Sequence, residues 1–410
     1  MTITPTATGR RPVNLLGLFP DEMAKAIAPL GVKPYVSKQL FGWIYAKGVL
    51  GFDRMHNLSK ELRRALAQSF YVERPAVVGQ VSSQEGRVTK YLLSLADGDR
   101  VECVLIGMRD KDTFCISSQV GCRFKCTFCA TGRMGLKRNL TSSEILGQVL
   151  FLRGENEGTR GVGVTGRGEG VRGGDETGRE GKGGGAGKTW GNSPGTTPER
   201  AFNVVFMGMG EPLDNYDNVV RAIRIMEDAD GLAVGGRRIT LSTCGLPHRI
   251  RDLAKEDLGI GLALSLNATT DEARAELIPA AKRFHLKEIR EALMYFAERS
   301  GRRVTLEYVL IAGVNDKPGD AKRLAEIASS LPSKINLIAL NPSPGIRLAR
   351  PTDEAVERFV QILYPRAPAV TLRKSKGSDI LAACGQLGAE ARKKGPARDE
   401  HPRPKAHPRG

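Results

Sequence analysis

Apolar residues change their spacing along this chain, and the change separates a helical beginning from an alternating remainder. Short amphipathic helices are predicted at residues 21–28, 37–47 and 59–69. Asp21 and Ser59 are available as N-caps for the first and third of these helices. Residues 77–81 and 88–95 alternate with a period of two and predict a small hairpin. We therefore expect a helical accessory domain with a small hairpin over residues 1–100.

From about residue 101 the pattern alternates between strands and helices. Strands are predicted at residues 113–117, 202–207, 238–242, 260–266, 303–311 and 335–340. Helices are predicted between them at residues 142–153, 218–228, 286–299 and 321–330, the first one after the capping box of Thr141 and Glu144. Strands separated by crossover helices favour a parallel sheet, so the fold class is α/β, with a partial barrel over residues 101–390. Chemistry in such barrels lies at the carboxyl ends of the strands.

Two segments lack this periodicity. Residues 154–200 contain 17 glycines and few large apolar side chains, and they predict a disordered insertion after the first barrel helix. Residues 391–410 are basic, rich in proline and without an apolar face, and they predict a disordered tail. Neither segment is expected to interrupt the barrel core.

The charge of the chain indicates a polyanionic partner. Its 410 residues carry a formal net charge of +17, of which the tail contributes +5 and the insertion nothing. The folded part therefore carries most of the excess, as expected of a protein that meets nucleic-acid phosphates over a broad face. A composition biased toward arginine is the alternative explanation.

Cysteine usage and hydropathy indicate the compartment. The seven cysteines are odd in number and unevenly spaced, which is not the pattern of a secreted disulfide framework. The first thirty residues contain no continuous apolar core of a signal peptide, and no later stretch reaches the roughly 18 apolar residues that span a bilayer. We expect a cytoplasmic protein that does not bind a membrane.

Cys122, Cys126 and Cys129 form the most informative motif, a C-x3-C-x2-C triplet. Three thiolates so spaced can hold three irons of a cubane cluster and leave the fourth iron open for a small ligand. A structural zinc site is the rival interpretation, but it normally requires four protein ligands. No second cysteine or histidine pair follows the triplet. The spacing therefore favours an iron–sulfur cluster without excluding zinc.

Together with three further segments, this triplet resembles the RlmN/Cfr family of radical S-adenosylmethionine (SAM) RNA adenine methyltransferases. The run from Cys115 to Cys122, the segment Met207–Leu213 and the segment Ala382–Leu387 match that family in order. The resemblance spans residues 15–390 with one interruption, the glycine-rich insertion. It implies a six-unit radical-SAM barrel, a [4Fe–4S] cluster on the cysteine triplet, and two molecules of SAM per turnover.

The resemblance also implies which residues bind SAM. Glycines at positions 208 and 210 allow the backbone to approach a ligand after a strand, and a carboxylate at position 211 suits an ammonium group. By themselves these residues are a weak signal. By the family match, the SAM contacts come from Gly210, Glu211, Ser242, Ser265, Leu266, Asn267 and Asn341. Many family members have histidine at the position of Asn267.

Three residues receive catalytic roles from the resemblance. Cys384 carries a methyl group from one SAM, a radical made from a second SAM activates that group for addition to adenine, and Cys115 then forms a transient disulfide with Cys384. Glu102 is the proton acceptor. From the residues alone, Cys384 could line a helix core and Glu102 could be solvated. Cys103 and Cys244 match no catalytic position and are interpreted as packing residues.

The implied substrates are an adenine of 23S ribosomal RNA and certain transfer RNAs, methylated at C2. Arg63, Arg64, Lys60, Lys38 and Lys47 of the accessory domain are candidates for RNA contact, or form a solvated helix face. An electron donor such as flavodoxin or ferredoxin is implied, and a monomer is expected. Two alternatives remain: a Cfr-type enzyme that methylates C8 of the same adenine and causes antibiotic resistance, and a non-catalytic zinc-bearing RNA-binding protein.

Overall fold

A computed structural model describes residues 12–108, 111–161, 201–388 and 390–391, with side chains left out at residues 158–161. Most of the predicted insertion and tail lie outside these residues. In chain order the elements are β1 (Val13–Asn14), α1 (Pro20–Ile27), α2 (Tyr35–Phe41), α3 (Lys60–Ser69), β2 (Phe70–Tyr71), β3 (Ala76–Ser82), β4 (Val88–Ser94), β5 (Arg100–Ile106), β6 (Asp112–Cys115), β7 (Gln119–Gly121), β8 (Leu136–Asn139), α4 (Ser142–Gly161), β9 (Phe202–Phe206), α5 (Tyr216–Glu227), β10 (Ile239–Thr243), α6 (Pro247–Lys255), β11 (Gly261–Ser265), α7 (Asp271–Leu277), α8 (Leu286–Ser300), β12 (Val304–Leu310), α9 (Pro318–Ser329), β13 (Ser333–Ala339), α10 (Asp353–Leu363) and β14 (Val370–Leu372).

One sheet of ten strands organises the molecule. Its order is β14-β13-β12-β11-β10-β9-β6-β5-β4-β3. The strands from β6 through β9 to β14 are parallel, and β3, β4, β5 and β6 pair antiparallel. All six predicted barrel strands are present within one or two residues, and β14 adds a short seventh one. The α/β expectation is confirmed.

The hairpin predicted for the accessory domain belongs to this sheet. Strand β3 pairs with β4, and β4 pairs with β5, which continues into the barrel strand β6. The three helices α1, α2 and α3 precede it, accompanied by the parallel pair of β1 and β2. The hairpin and the barrel are thus joined through one continuous hydrogen-bonded ladder, whereas β1 and β2 form a separate two-stranded sheet.

Helix starts follow the local capping chemistry. The Ser59 hydroxyl accepts the Leu62 amide at 3.2 Å, which confirms Ser59 as an N-cap. The expectation for Asp21 was wrong, because α1 begins at Pro20 and Asp21 lies in its first turn. Proline fits that first position because its missing N–H would have had no helical partner.

The first barrel helix is longer than its periodicity predicted. The capping box at its start is confirmed, since the Thr141 hydroxyl accepts the Glu144 amide at 3.2 Å and the Glu144 carboxylate accepts the Thr141 amide at 2.9 Å. Helix α4 continues to Gly161 and includes the first residues of the predicted insertion, 154–161. The guanidinium of Arg153 pairs with Glu157 one turn later, which supports this extension.

Candidate active site

The cysteine triplet lies in the loop between β7 and β8. Cys122 follows β7 directly, and its amide donates to the Gly135 carbonyl at 3.0 Å. Gly132 closes the loop so tightly that a Cβ there would lie 2.8 Å from the Cys126 nitrogen. A side chain at that position would displace the loop backbone, so the geometry of the triplet depends on this glycine.

All three cysteines line one open cavity of about 900 Å³. Six of the other residues assigned from the sequence line the same cavity, namely Gly210, Glu211, Ser242, Ser265, Asn267 and Cys384. Residues from the cysteine loop and from the ends of β9, β10 and β11 therefore meet here, at the carboxyl edge of the parallel strands.

The donor set of this cavity fits a cubane cluster. Among the described residues, no three side chains of His, Cys, Asp or Glu converge in the way that ligands of a single metal ion do. Each cysteine of a cubane binds a different iron, so three thiols spread along one wall are what such a cluster requires. Burial raises the pKa of the Cys122 and Cys129 thiols, and bound metal would offset this cost by holding them as thiolates.

A glycine turn after β9 forms the adjacent wall. A Cβ on Gly208 would lie 2.6 Å from the Ile116 carbonyl oxygen, and one on Gly210 would lie 2.5 Å from Cβ of Gln119. Gly210 also has a φ of 102°, which favours glycine. The Glu211 amide then donates to the Gln119 side chain at 2.9 Å. These contacts press the turn against the strand that precedes the cysteine loop.

Glu211 is buried at this turn and forms no salt bridge with a Lys or Arg side chain of the described residues. Its carboxylate accepts the Cys244 amide at 2.7 Å and the Leu213 amide at 3.0 Å. Burial raises the pKa of the Glu211 carboxyl to about 7, against the lowering effect of these donors. A ligand ammonium would supply the missing positive charge.

Ser242 and Ser265 face each other at the ends of β10 and β11, with 3.3 Å between their hydroxyl oxygens. Ser242 also donates to the Glu307 carboxylate at 2.9 Å, and burial raises the pKa of that carboxyl. Sequence reasoning missed Glu307. An acidic residue within the otherwise apolar strand β12 was the available signal.

The remaining SAM candidates lie at or behind the cavity wall. Leu266 is buried and does not line the cavity. The Asn267 side chain lines it, with a φ of 57°, while its oxygen accepts the Val309 amide at 2.9 Å. Asn341 lies behind the cavity and donates to the Cys384 carbonyl at 3.2 Å. Its side chain therefore fixes the segment that carries Cys384.

Cys115 and Cys384 share a second, smaller cavity of about 510 Å³, which also includes Arg373 and Lys376. Burial raises the pKa of the Cys115 thiol to about 12, and the nearby Cys384 adds to the effect. Cys384 lines both cavities, as Met207 and Ile338 also do, and it thereby faces the cysteine triplet on one side and Cys115 on the other. The structure thus places together two thiols that lie far apart in the sequence.

Glu102 lines neither cavity and belongs to a buried ionic cluster. Its carboxylate lies 3.7 Å from the Lys90 ammonium and accepts the backbone amides of Glu390 and Ala391, each at 3.1 Å. Lys90 is also 3.7 Å from the Glu390 carboxylate and donates to the Leu381 carbonyl at 3.4 Å. We call Lys90, Glu102 and Glu390 the closed cluster. It ties β4 and β5 to the two flanks of the segment that carries Cys384.

The two cysteines interpreted as packing residues have different surroundings. Cys103 is fully buried in the sheet core, as expected. Cys244 instead lines the large cavity, and its sulfur is 3.9 Å from the Cys126 sulfur. Its backbone lies between two buried charges, because its amide donates to Glu211 and its carbonyl accepts from Arg274. We call Glu211, Cys244 and Arg274 the open cluster.

Comparison with known proteins agrees with this geometry. Residues 13–72 match the family described as the ribosomal RNA large subunit methyltransferase N-terminal domain, and residues 197–325 match the radical SAM superfamily. A dual-specificity RNA methyltransferase RlmN of Campylobacter fetus is 38% identical over 91% of this chain and 97% of its own length. The chain belongs to the RlmN family of radical SAM methyltransferases. The RlmN protein of Rhodospirillum rubrum is 40% identical over 93% of this chain and 81% of its own length.

A solved structure supports the same assignment. The crystal structure of a radical SAM methyltransferase from Sphaerobacter thermophilus has a TM-score of 0.80 at 37% identity, and it covers 92% of this chain and 99% of that chain. The resemblance predicted from the motifs is therefore confirmed, as is the radical-SAM barrel. A [4Fe–4S] cluster and SAM are the cofactors of this superfamily. Among the described residues, no helix is both long and apolar enough to cross a membrane.

Proposed function

We propose that this protein methylates C2 of an adenine in 23S ribosomal RNA and in certain transfer RNAs, through a methylated Cys384. The position of Cys384 carries the proposal. One cavity brings it beside the cysteine triplet and the Glu211 turn, and the other brings it beside Cys115. A thiol that must first accept a methyl group and later exchange its sulfur bond needs access to both sites.

The cofactor side of the reaction is assigned to the large cavity. Cys122, Cys126 and Cys129 would hold a [4Fe–4S] cluster there. Glu211 would accept the SAM ammonium group, and Ser242, Ser265 and Asn267 would contact the rest of SAM, with Gly210 shaping the turn and Leu266 and Asn341 supporting the wall. With SAM bound, the cluster supplies the one-electron chemistry that C2 requires, because this electrophilic carbon is a poor nucleophile for ordinary methyl transfer.

Polar side chains hold the backbone of the segment that carries Cys384. Asn341 donates to the Cys384 carbonyl, and Gln386 accepts the Ala383 amide at 3.0 Å and donates to the Pro342 carbonyl at 2.6 Å. In the last step the Cys115 sulfur, as its thiolate, bonds to the Cys384 sulfur, and the bond from Cys384 to the transferred carbon breaks. That carbon keeps the electron pair of the broken bond and takes up a proton, such as the one that Cys115 gave up, to complete the methyl group, and methylated RNA is released. Shared lining of the smaller cavity supports this exchange.

Glu102 would take the proton that the adenine carbon loses. Its carboxylate is held by the closed cluster and by the amides of residues 390 and 391. For Glu102 to reach the base, the segment that carries Cys384 must withdraw from it. Proton transfer and movement of Cys384 are thereby linked in the proposal.

Basic surface supports an RNA substrate. Arg373 and Lys376 line the smaller cavity, where phosphates that flank a flipped adenine would lie. On the accessory domain, the Lys47 ammonium lies 3.8 Å from the centre of the partly exposed Trp43 ring, and His56 packs against the same ring. Basic and aromatic groups in this arrangement suit unpaired RNA. The accessory domain of residues 1–100 is proposed to contact RNA through this face.

The barrel domain is proposed to span residues 101–390. In the cell, the protein is proposed to act in the cytoplasm as a monomer and to receive electrons from a flavodoxin or ferredoxin. Light scattering of the purified protein tests the monomeric state, and reduction assays with each donor test the source of electrons.

The deciding experiment is nucleoside mass spectrometry of a large-subunit RNA fragment and a transfer RNA. Each RNA is incubated without oxygen with cluster-loaded protein, SAM and a reductant. Cys384→Ala is compared with Cys103→Ala, which removes a thiol that lies in the sheet core away from both cavities. We expect 2-methyladenosine with the unchanged protein and with Cys103→Ala, and none with Cys384→Ala.

Other outcomes assign the protein differently. Formation of 8-methyladenosine would place it with Cfr-type enzymes. Absence of any methylated adenosine, despite a loaded cluster and bound RNA, would contradict the methyltransferase proposal and leave the RNA-binding alternative.

A further inference from the structure

Arg274 is a buried cation beside the cysteine triplet to which the reaction above gives no role. It lies on α7, is 1% exposed and heads the largest fully buried side chains. Its Nη2 atom donates to the Cys244 carbonyl, whereas Nε and Nη1 have no hydrogen-bond partner among the described residues. Burying a guanidinium in this state is costly, so we expect an interaction with a group other than the described residues to compensate it.

Helix α7 is docked directly on the cysteine loop. The Thr127 amide donates to the Leu277 carbonyl at the end of α7 at 2.9 Å, and the Thr127 hydroxyl does so at 3.3 Å. On the other side, Arg274 holds Cys244, whose sulfur is 3.9 Å from that of Cys126. The guanidinium is therefore fixed behind the wall on which the thiols lie.

The nearby carboxylates are engaged elsewhere. Asp271, on the same helix, is 3.0 Å from the His285 ring and accepts the Leu286 amide at 2.7 Å. Glu211 accepts the amides of Cys244 and Leu213. The charge of Arg274 therefore acts on the thiols of Cys244 and Cys126 as well as on Asp271 and Glu211, and no carboxylate of the described residues forms a salt bridge with it.

We propose that Arg274 is a positioning residue: it holds a positive charge next to the cysteine triplet, and this charge sets the reduction potential of the cluster that the triplet holds. This inference rests on the proposed function, since it requires the cluster. Three thiolates and a [4Fe–4S] core carry net negative charge, and reduction by an external flavodoxin or ferredoxin adds one electron without making or breaking a bond. A fixed cation in a poorly polarisable interior stabilises the more negative state and makes reduction easier.

Arginine suits this role better than lysine does. Its planar fork keeps its charge in the interior and lets one nitrogen hold the Cys244 carbonyl while the others face elsewhere. A purely structural role would need only the bond to Cys244. Charge and hydrogen bond can therefore be separated by substitution.

The test is a redox titration of the full-length, cluster-loaded protein, followed by electron paramagnetic resonance of the reduced cluster. Arg274→Gln keeps a donor and removes the charge, and Arg274→Lys keeps the charge. Arg153→Gln is the matched control, because Arg153 is a buried arginine on α4 that donates to the Tyr45 carbonyl away from the cavity. Iron and sulfide contents are measured for each protein.

We expect Arg274→Gln to lower the ratio of reduced to oxidised cluster about tenfold at a fixed solution potential, which is a shift of about 59 mV for one electron. Arg274→Lys and Arg153→Gln should stay close to the unchanged protein. If Arg274→Gln instead loads no iron while its apoprotein is as stable as the unchanged apoprotein, a role toward the cluster is also supported.

Equal potentials for the unchanged protein and Arg274→Gln, at equal iron content, would overturn the inference and leave Arg274 as an anchor for Cys244. An equal shift in Arg274→Lys would also overturn it, because that variant keeps the charge. Failure of the proposed function has a different signature, since the unchanged protein would then form no 2-methyladenosine in the mass-spectrometric assay, whatever the potential of its cluster.

Discussion

Lys90 and Arg274 are both buried cations next to segments that carry functional cysteines, but they differ in their partners. In the closed cluster, Lys90 has two carboxylates at 3.7 Å and a carbonyl at 3.4 Å. In the open cluster, Arg274 has one carbonyl and Glu211 has two amides, and neither forms a salt bridge among the described residues. The chain supplies salt-bridge partners for the buried charges of the first cluster and none for those of the second.

The two clusters show two uses of buried charge. One stabilises the fold of the chain itself, and the other can interact with a bound ligand. A buried ion pair that is complete within the chain can hold two segments together, whether or not a cofactor is bound. Buried charges of opposite sign that are kept apart by a backbone retain their fields for groups that arrive later. Substitutions in the apoprotein should therefore affect the closed cluster most.

Lys90→Met should give the largest loss of stability. It leaves the Glu102 carboxylate buried without a cation, which costs about 3–5 kcal/mol. Urea unfolding of the apoprotein measures this loss, with Lys47→Met, on the exposed surface, as the control. A loss below about 1 kcal/mol would mean that the closed cluster is not a stabilising unit.

The Glu211 carboxyl should give the next largest effect, as a dependence on pH. Its pKa is raised by burial from 4.5 to about 7 in the folded protein. Below pH 4.5 the carboxyl is protonated in both the folded and the unfolded states. As the pH rises from 4.5 to 7 only the unfolded state ionises freely, so folding stability falls by about 3 kcal/mol and then levels off.

Glu211→Gln removes this carboxyl and serves as the reference. The unfolding free energy of the unchanged apoprotein minus that of Glu211→Gln, followed from pH 4 to 8, should decrease over this interval. A difference that is flat across the range would contradict the raised pKa.

The interaction between Lys90 and Glu102 in the closed cluster should appear as a coupling between the stability losses of their variants. Combining Lys90→Met with Glu102→Gln leaves only the partly exposed Glu390 carboxylate without its cation, so the double variant should lose about 1–3 kcal/mol less than the sum of the single losses. Strict additivity in urea unfolding would show that Lys90 and Glu102 act independently.

Arg274→Gln should give the smallest change in apoprotein stability, about 1 kcal/mol or less. The cost of burying the unmatched guanidinium disappears together with its one bond to Cys244, and the two effects oppose each other. Thermal unfolding of the apoprotein, compared with Arg153→Gln, provides the measurement. A loss as large as that of Lys90→Met would erase the distinction between the two clusters.

Local pattern was sufficient for much of the fold. The barrel strands could be predicted because each is a short apolar run, and α4 because Thr141 and Glu144 form a capping box. The pattern could not show that the hairpin of β3 and β4 joins the barrel sheet, because strand pairing depends on which edges meet in space.

The sequence by itself determined which functional groups are available: the cysteine triplet, the glycine turn before Glu211, and the order of motifs that places the chain among radical SAM methyltransferases. Only the tertiary structure decided which side chains face one another. It brought Cys384 to Cys115, buried Lys90 against Glu102, and buried Arg274 beside Cys244 without a salt bridge to a carboxylate of the described residues. In the sequence these two cations resemble solvated helix or strand charges, because burial and pairing arise from contacts between residues that are distant along the chain.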